Sequence, residues 1–70
     1  MQTSLTVTLN GEDRCFDGPL SVAALLARLG LDPRKVAVER NAAIVSRSVY
    51  GETWLTGGDR LEIVHFIGGG

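Results

Sequence analysis

Residues 21–29, Ser-Val-Ala-Ala-Leu-Leu-Ala-Arg-Leu, constrain this chain more than any other segment. Val22, Leu25, Leu26 and Leu29 recur at i, i+3, i+4 and i+7, so they line one face of a helix. Ser21 can cap its start by accepting a backbone N–H. Gly30 can supply a left-handed stop, and Pro33 lies just beyond. Burying four such side chains returns less than ordering the segment costs. The helix therefore needs a second layer, and the rest of the chain offers only strand patterns to build one.

Leu5, Val7 and Leu9 alternate with Ser4, Thr6 and Thr8, the period of a half-buried strand over residues 3–9. Asn10-Gly11 follows, a strong hairpin signal because both residues tolerate positive φ. A second strand is expected near residues 13–17. A strict two-residue loop would put Phe16 on its core face, and one extra residue would put Cys15 there. We favour Cys15 inside, as a small apolar group. Residues 35–39 form a short strand, Ile44-Val45 a shorter apolar piece, and 50–56 an irregular stretch. Gly57-Gly58-Asp59 is a turn, and residues 60–66 are the final strand. The order ββαβ(β)β predicts an α+β fold: a mixed sheet of four to five strands crossed by one main helix.

At 70 residues the chain holds one domain with a small core. Its 44% hydrophobic and 21% charged residues are those of a globular protein. A net charge of −1, with six arginines and one lysine spread along the chain, argues against nucleic acid as the ligand. Cys15 and His65 are each the only residue of their kind. An intrachain disulfide is excluded, and neither a metal site nor a bound cofactor is expected. The N-terminus has no basic segment followed by an apolar run, and no stretch approaches the ~20 apolar residues of a membrane span. The expected location is the cytoplasm, with no membrane partner.

The chain ends Ile67-Gly68-Gly69-Gly70. Three glycines after a strand bury nothing and lose the most entropy on ordering. Close backbone approach is a reason to have them, since a tail without Cβ atoms can thread a narrow channel. Four residues beyond Phe66 reach at most about 14 Å, enough to carry the terminal carboxylate into a partner. That carboxylate, ionised at neutral pH, becomes an electrophile only when given a good leaving group such as AMP. On its own, a terminal glycine run is equally compatible with a plain flexible tail.

The ordered segments before the tail carry more information. Asn10-Gly11-Glu12, Leu25-Leu26, Val36-Ala37-Val38-Glu39-Arg40-Asn41, Ile44-Val45-Ser46-Arg47, Gly58-Asp59-Arg60-Leu61-Glu62-Ile63-Val64 and Gly69-Gly70 together resemble the thiamin-biosynthesis sulfur carriers. The resemblance covers essentially the whole chain. Two positions depart from the family pattern: Ala42 stands where glycine is usual, and Ser46 where proline is usual. The resemblance implies a ubiquitin-like β-grasp domain over residues 1–66 and a flexible glycine tail over 67–70. It implies that Gly70 is adenylated by a ubiquitin-activating-like enzyme using ATP and Mg, and that sulfur arrives by way of a cysteine desulfurase. The Gly70 thiocarboxylate would then donate sulfur to thiazole synthase. The chain would be a carrier and not an enzyme, with no catalytic residue of its own. Gly68, Gly69 and Gly70 would be the arm presented to the partner. The small subunit of molybdopterin synthase, a protein-conjugating modifier and a simple binding module stay open as alternatives.

In the last strand, Leu61 and Ile63 should share the core face, while Val64 and Phe66 should point outward. With Ile67 they are the candidate docking residues for the partner enzymes. His65 shares the parity of Ile63, which predicts a partly buried packing residue. Cys15 is read as core and not as a sulfur relay, and Asp59 as a residue that shapes its turn. Trp54 and Tyr50 are expected to be satellite packing.

Overall fold

The computed structural model describes residues 3–66. The strands are β1 (Thr3–Leu9), β2 (Glu12–Gly18), β3 (Val36–Arg40), β4 (Ala43–Val45) and β5 (Arg60–His65), with the helix α1 at Val22–Arg28 between β2 and β3. They form one sheet in the order β2-β1-β5-β3-β4. β1 and β5 run parallel and the other neighbours antiparallel, so the sheet is mixed. One face is packed under α1, and this is the β-grasp arrangement the resemblance implied.

The helix follows its sequence signals closely. Val22, Leu25 and Leu26 are fully buried, and Gly30 takes the left-handed stop at φ 72°. All four of the first N–H groups find acceptors, as a helix end inside a protein requires. Those of Ala24 and Leu25 donate to the Ser21 side chain and carbonyl. Those of Val22 and Ala23 donate to the carbonyls of Thr53 and Tyr50. The irregular stretch 50–56 is therefore the acceptor for the helix start. It also delivers Tyr50 and Leu55 to the core, where Leu20 joins them. Trp54, by contrast, is 57% exposed and does not pack as expected: in this extended stretch its neighbour Leu55 is the residue that is buried.

The first hairpin corrects the expectation for Cys15. Asn10 and Gly11 sit at φ 48° and 85°, the two positive values of a two-residue turn, and Leu9 pairs directly with Glu12. That register places Phe16 opposite Leu5 and Cys15 opposite Thr6. Phe16 packs against the core edge, and Cys15 is a free, exposed thiol on the outer face. Strict period two decides this: the larger apolar side chain goes in, and its small neighbour must then point out.

The second hairpin turns on Asn41 and Ala42, at φ 53° and 70°. A left-handed alanine crowds its Cβ against the following carbonyl, which is the physical reason for the usual glycine there. Ala42→Gly is expected to stabilise the chain by about 1 kcal/mol, since the relieved strain exceeds the added freedom of the unfolded state. Thermal unfolding checks it, with a rise of roughly 4–8 °C expected for a domain of this size.

Candidate functional site

The glycine run follows β5 in the chain, and three features of the fold bear on that strand. The first is the anchoring of β5 at its start. Asp59 is buried, and its carboxylate accepts from Arg40 Nε at 2.8 Å, Asn41 Nδ2 at 3.0 Å and the Thr56 N–H at 2.8 Å. Burial alone would raise its pKa. The Thr56, Arg40 and Asn41 donors outweigh that and hold it below the ordinary carboxylate value. Asn41 in turn accepts from the Arg60 N–H through its side-chain oxygen at 2.9 Å. The expected turn-shaping role of Asp59 thus extends to joining the β3–β4 hairpin to the start of β5.

The second feature is the outer face of the sheet. Val64 is 58% exposed and Phe66 45%, as their parity required. Ala37 lies directly across from Val64. Ile44 is 72% exposed and continues the same face on β4. Ile44 was not singled out from the sequence, although strand alternation in Ala43-Ile44-Val45 obliges one of its two branched residues to face outward. Glu39 pairs with both Ile44 and Glu62, so two carboxylates border the apolar group. Ile67, Gly68, Gly69 and Gly70, named above as docking and presenting residues, lie outside the described residues.

The third feature is a hollow on the helix side, of about 230 Å³, lined by Leu9, Asn10, Leu29, Leu31, Ile63 and His65. His65 points to this side, as its parity required, but it is exposed and not packed. The reason lies in β1, which turns away at Asn10, so that His65 keeps a neighbouring strand only on the β3 side, where it lies across from Val36. Cys15 sits on the edge strand β2, separated from β5 by β1. No helix is long and apolar enough to cross a membrane among the described residues.

Comparison with known proteins places this arrangement. The model of the ThiS family matches residues 7–70, through the last glycine. A sulfur carrier protein ThiS of Bacillus subtilis is 41% identical over 63 residues, covering 89% of this chain and 96% of that protein. A protein named thiazole synthase in Paramagnetospirillum magneticum is 53% identical over 66 residues, covering 94% of this chain but 20% of that protein. One of the same name in Magnetococcus marinus is 48% identical over 66 residues, again 20% of its length. The chain therefore spans about a fifth of these two relatives. Among solved structures, the crystal structure of a thiamine biosynthesis protein (ThiS) from Geobacter metallireducens superposes with a TM-score of 0.80 at 33% identity. That match covers 94% of this chain and all of the other. With the family model matching most of its length and a full-length relative above 40% identity, the chain belongs to the ThiS family.

Proposed function

We propose that this chain carries sulfur for thiamin biosynthesis on the carboxylate of Gly70. The observation that carries the proposal is the pair of relatives in which a stretch matching 94% of this chain occupies a fifth of a protein named thiazole synthase. A carrier and the enzyme that consumes its cargo gain from such linkage, because it raises their effective concentration. This favours thiazole synthase over a molybdopterin synthase subunit as the sulfur acceptor.

The chemistry is that of a carboxylate made electrophilic. A Gly70 oxygen attacks the α-phosphorus of ATP on an activating enzyme, and pyrophosphate leaves. A sulfur nucleophile supplied through a cysteine desulfurase then adds to the acyl carbon, and AMP departs with the bonding electrons. Hydrosulfide gives the thiocarboxylate directly. A persulfide gives an acyl disulfide, which a thiol reduces. ATP and Mg belong to the activating enzyme, and this chain contributes the acyl group and the surface that delivers it.

Incubation with ATP, Mg, the activating enzyme and a desulfurase tests the reading by intact mass. The expected shift equals the replacement of one oxygen by sulfur, followed by its loss on turnover with thiazole synthase. An unchanged mass would overturn it. The outer face gives a second expectation. Val64→Asp and Phe66→Asp each place a carboxylate in an apolar contact already bordered by Glu39 and Glu62. Each should slow thiocarboxylate formation about 30-fold, the effect of one central interface residue. The unfolding midpoint should barely move, because both side chains are exposed in the free protein.

A further inference from the structure

The hydrogen bonds along β5 leave one short stretch of its edge open. On the β3 side the strand is paired to its end, where the Phe66 N–H donates to the Lys35 carbonyl at 2.8 Å. On the β1 side the ladder runs from the Thr8 N–H to the Asp59 carbonyl and from the Asn10 N–H to the Leu61 carbonyl, both 2.9 Å. Asn10 then bends into the left-handed region, and its side chain replaces the missing strand. Its Oδ1 accepts from the Ile63 N–H at 2.8 Å, and its Nδ2 donates to the Ile63 carbonyl at 3.2 Å. Strand period puts the His65 N–H and carbonyl next on this edge. Among the described residues neither meets a partner.

We propose that this open edge of β5, beyond Asn10, takes an extended segment of thiazole synthase as an added strand, with one of its apolar side chains seated in the adjoining hollow. The inference rests on the sulfur-carrier reading above. Its location is argued from where the fold stops. The four residues after Phe66 reach at most about 14 Å, so an enzyme that takes up the carboxylate comes within that distance of Phe66, and the surface around His65 and Phe66 is what it meets first. On one side of that point Lys35 already occupies the backbone, and the other side is unpaired. The hollow directly below that side is walled by Leu9, Leu29, Leu31 and Ile63. Strand addition uses these two elements together: backbone groups supply affinity, and a pocket for alternate side chains supplies selectivity. The Asn10 amide keeps the rest of the edge closed, so the free chain presents one residue's worth of open ladder and not a long sticky edge.

The test compares two substitutions at one position in the full chain, with purified thiazole synthase as the binding partner. His65→Pro removes the N–H that faces the open edge and takes no described hydrogen bond from the free fold. His65→Ala removes the side chain and keeps the N–H. His65 also walls the hollow, so both variants lose that contact and only His65→Pro loses the N–H as well: binding should fall about tenfold further for His65→Pro than for His65→Ala. Unfolding midpoints are measured alongside. Amide exchange on the wild-type chain gives a readout independent of any variant. The His65 amide should exchange rapidly in the free chain and about tenfold or more slowly in the complex. Equal binding by the two variants, or unchanged exchange at His65 in the complex, overturns strand addition. Normal thiocarboxylate turnover with no His65 protection overturns this inference alone. No binding to thiazole synthase at all overturns it together with the acceptor assigned above.

Discussion

Deleting Gly70 is expected to abolish thiocarboxylate formation while leaving the fold intact. The shortened chain still ends in a glycine carboxylate, so its chemistry is unchanged. Its position is not. One residue fewer draws the carboxylate back by about 3.5 Å. A misplacement of about 1 Å at a reacting group already costs roughly a hundredfold in rate. The expected loss is therefore to background, with no mass shift after incubation with the activating system. Every core side chain and ladder bond described above belongs to residues 3–66 and is retained, so the unfolding midpoint should stay where it was. A Gly70 deletion that still gained sulfur would show that the reach of the arm does not fix where the carboxylate reacts, and would overturn the assignment to Gly70.

Asp59→Ala is expected to have the largest effect on stability. It strips the acceptor from three donors at once, Arg40 Nε, Asn41 Nδ2 and the Thr56 N–H. Two of these belong to the β3–β4 hairpin and one to the turn before β5. Leaving partly buried donors unpaired costs about 1–3 kcal/mol each in dry surroundings. Arg40 is one-third exposed and recovers some of its loss in water, so about 3 kcal/mol in total is a fair expectation. For a domain of this size that lowers the unfolding midpoint by roughly 12–24 °C. The same carboxylate makes stability depend on pH. Its folded pKa lies below the unfolded value, so its contribution is complete above the ordinary carboxylate range. It disappears as the pH falls through that range and the folded group takes up its proton. Asp59→Asn keeps an oxygen for the Thr56 N–H but carries no charge. It should lose less stability at neutral pH and show a shallower decline at about pH 3.5 than the wild-type chain. Thermal unfolding at the two pH values checks both statements.

The sulfur-carrier resemblance and the physical signals agree on the main elements because both depend on short-range patterns. Val22, Leu25, Leu26 and Leu29 specify a helix by spacing alone, and Ser21 and Gly30 mark its ends. Leu5, Val7 and Leu9 specify a strand face, and Val64 and Phe66 face outward by the same parity. Cys15 lies on the outer face and not in the core, and the difference arises at the one step where a single residue of loop length reverses every side chain. The sequence Asn10-Gly11 names the turn but not whether a third residue joins it. The positive φ of both residues settles the count.

What the sequence by itself determined is the set of elements, their order and the bare glycine arm after the last strand. Each follows from local conformational preference, which a residue expresses through its neighbours in the chain. The tertiary structure alone decided which distant groups complete one another. Thr53 and Tyr50 supply acceptors for a helix that begins about thirty residues earlier. Asn10 and Asn41, each the first left-handed residue of a hairpin turn, lend their side-chain amides to Ile63 and Arg60 of β5. His65 is exposed because β1 bends away, although its parity pointed it toward the helix side. A backbone donor or acceptor must be satisfied by whatever lies within about 3 Å of it, and that neighbour is set by packing across the sheet, not by position along the chain.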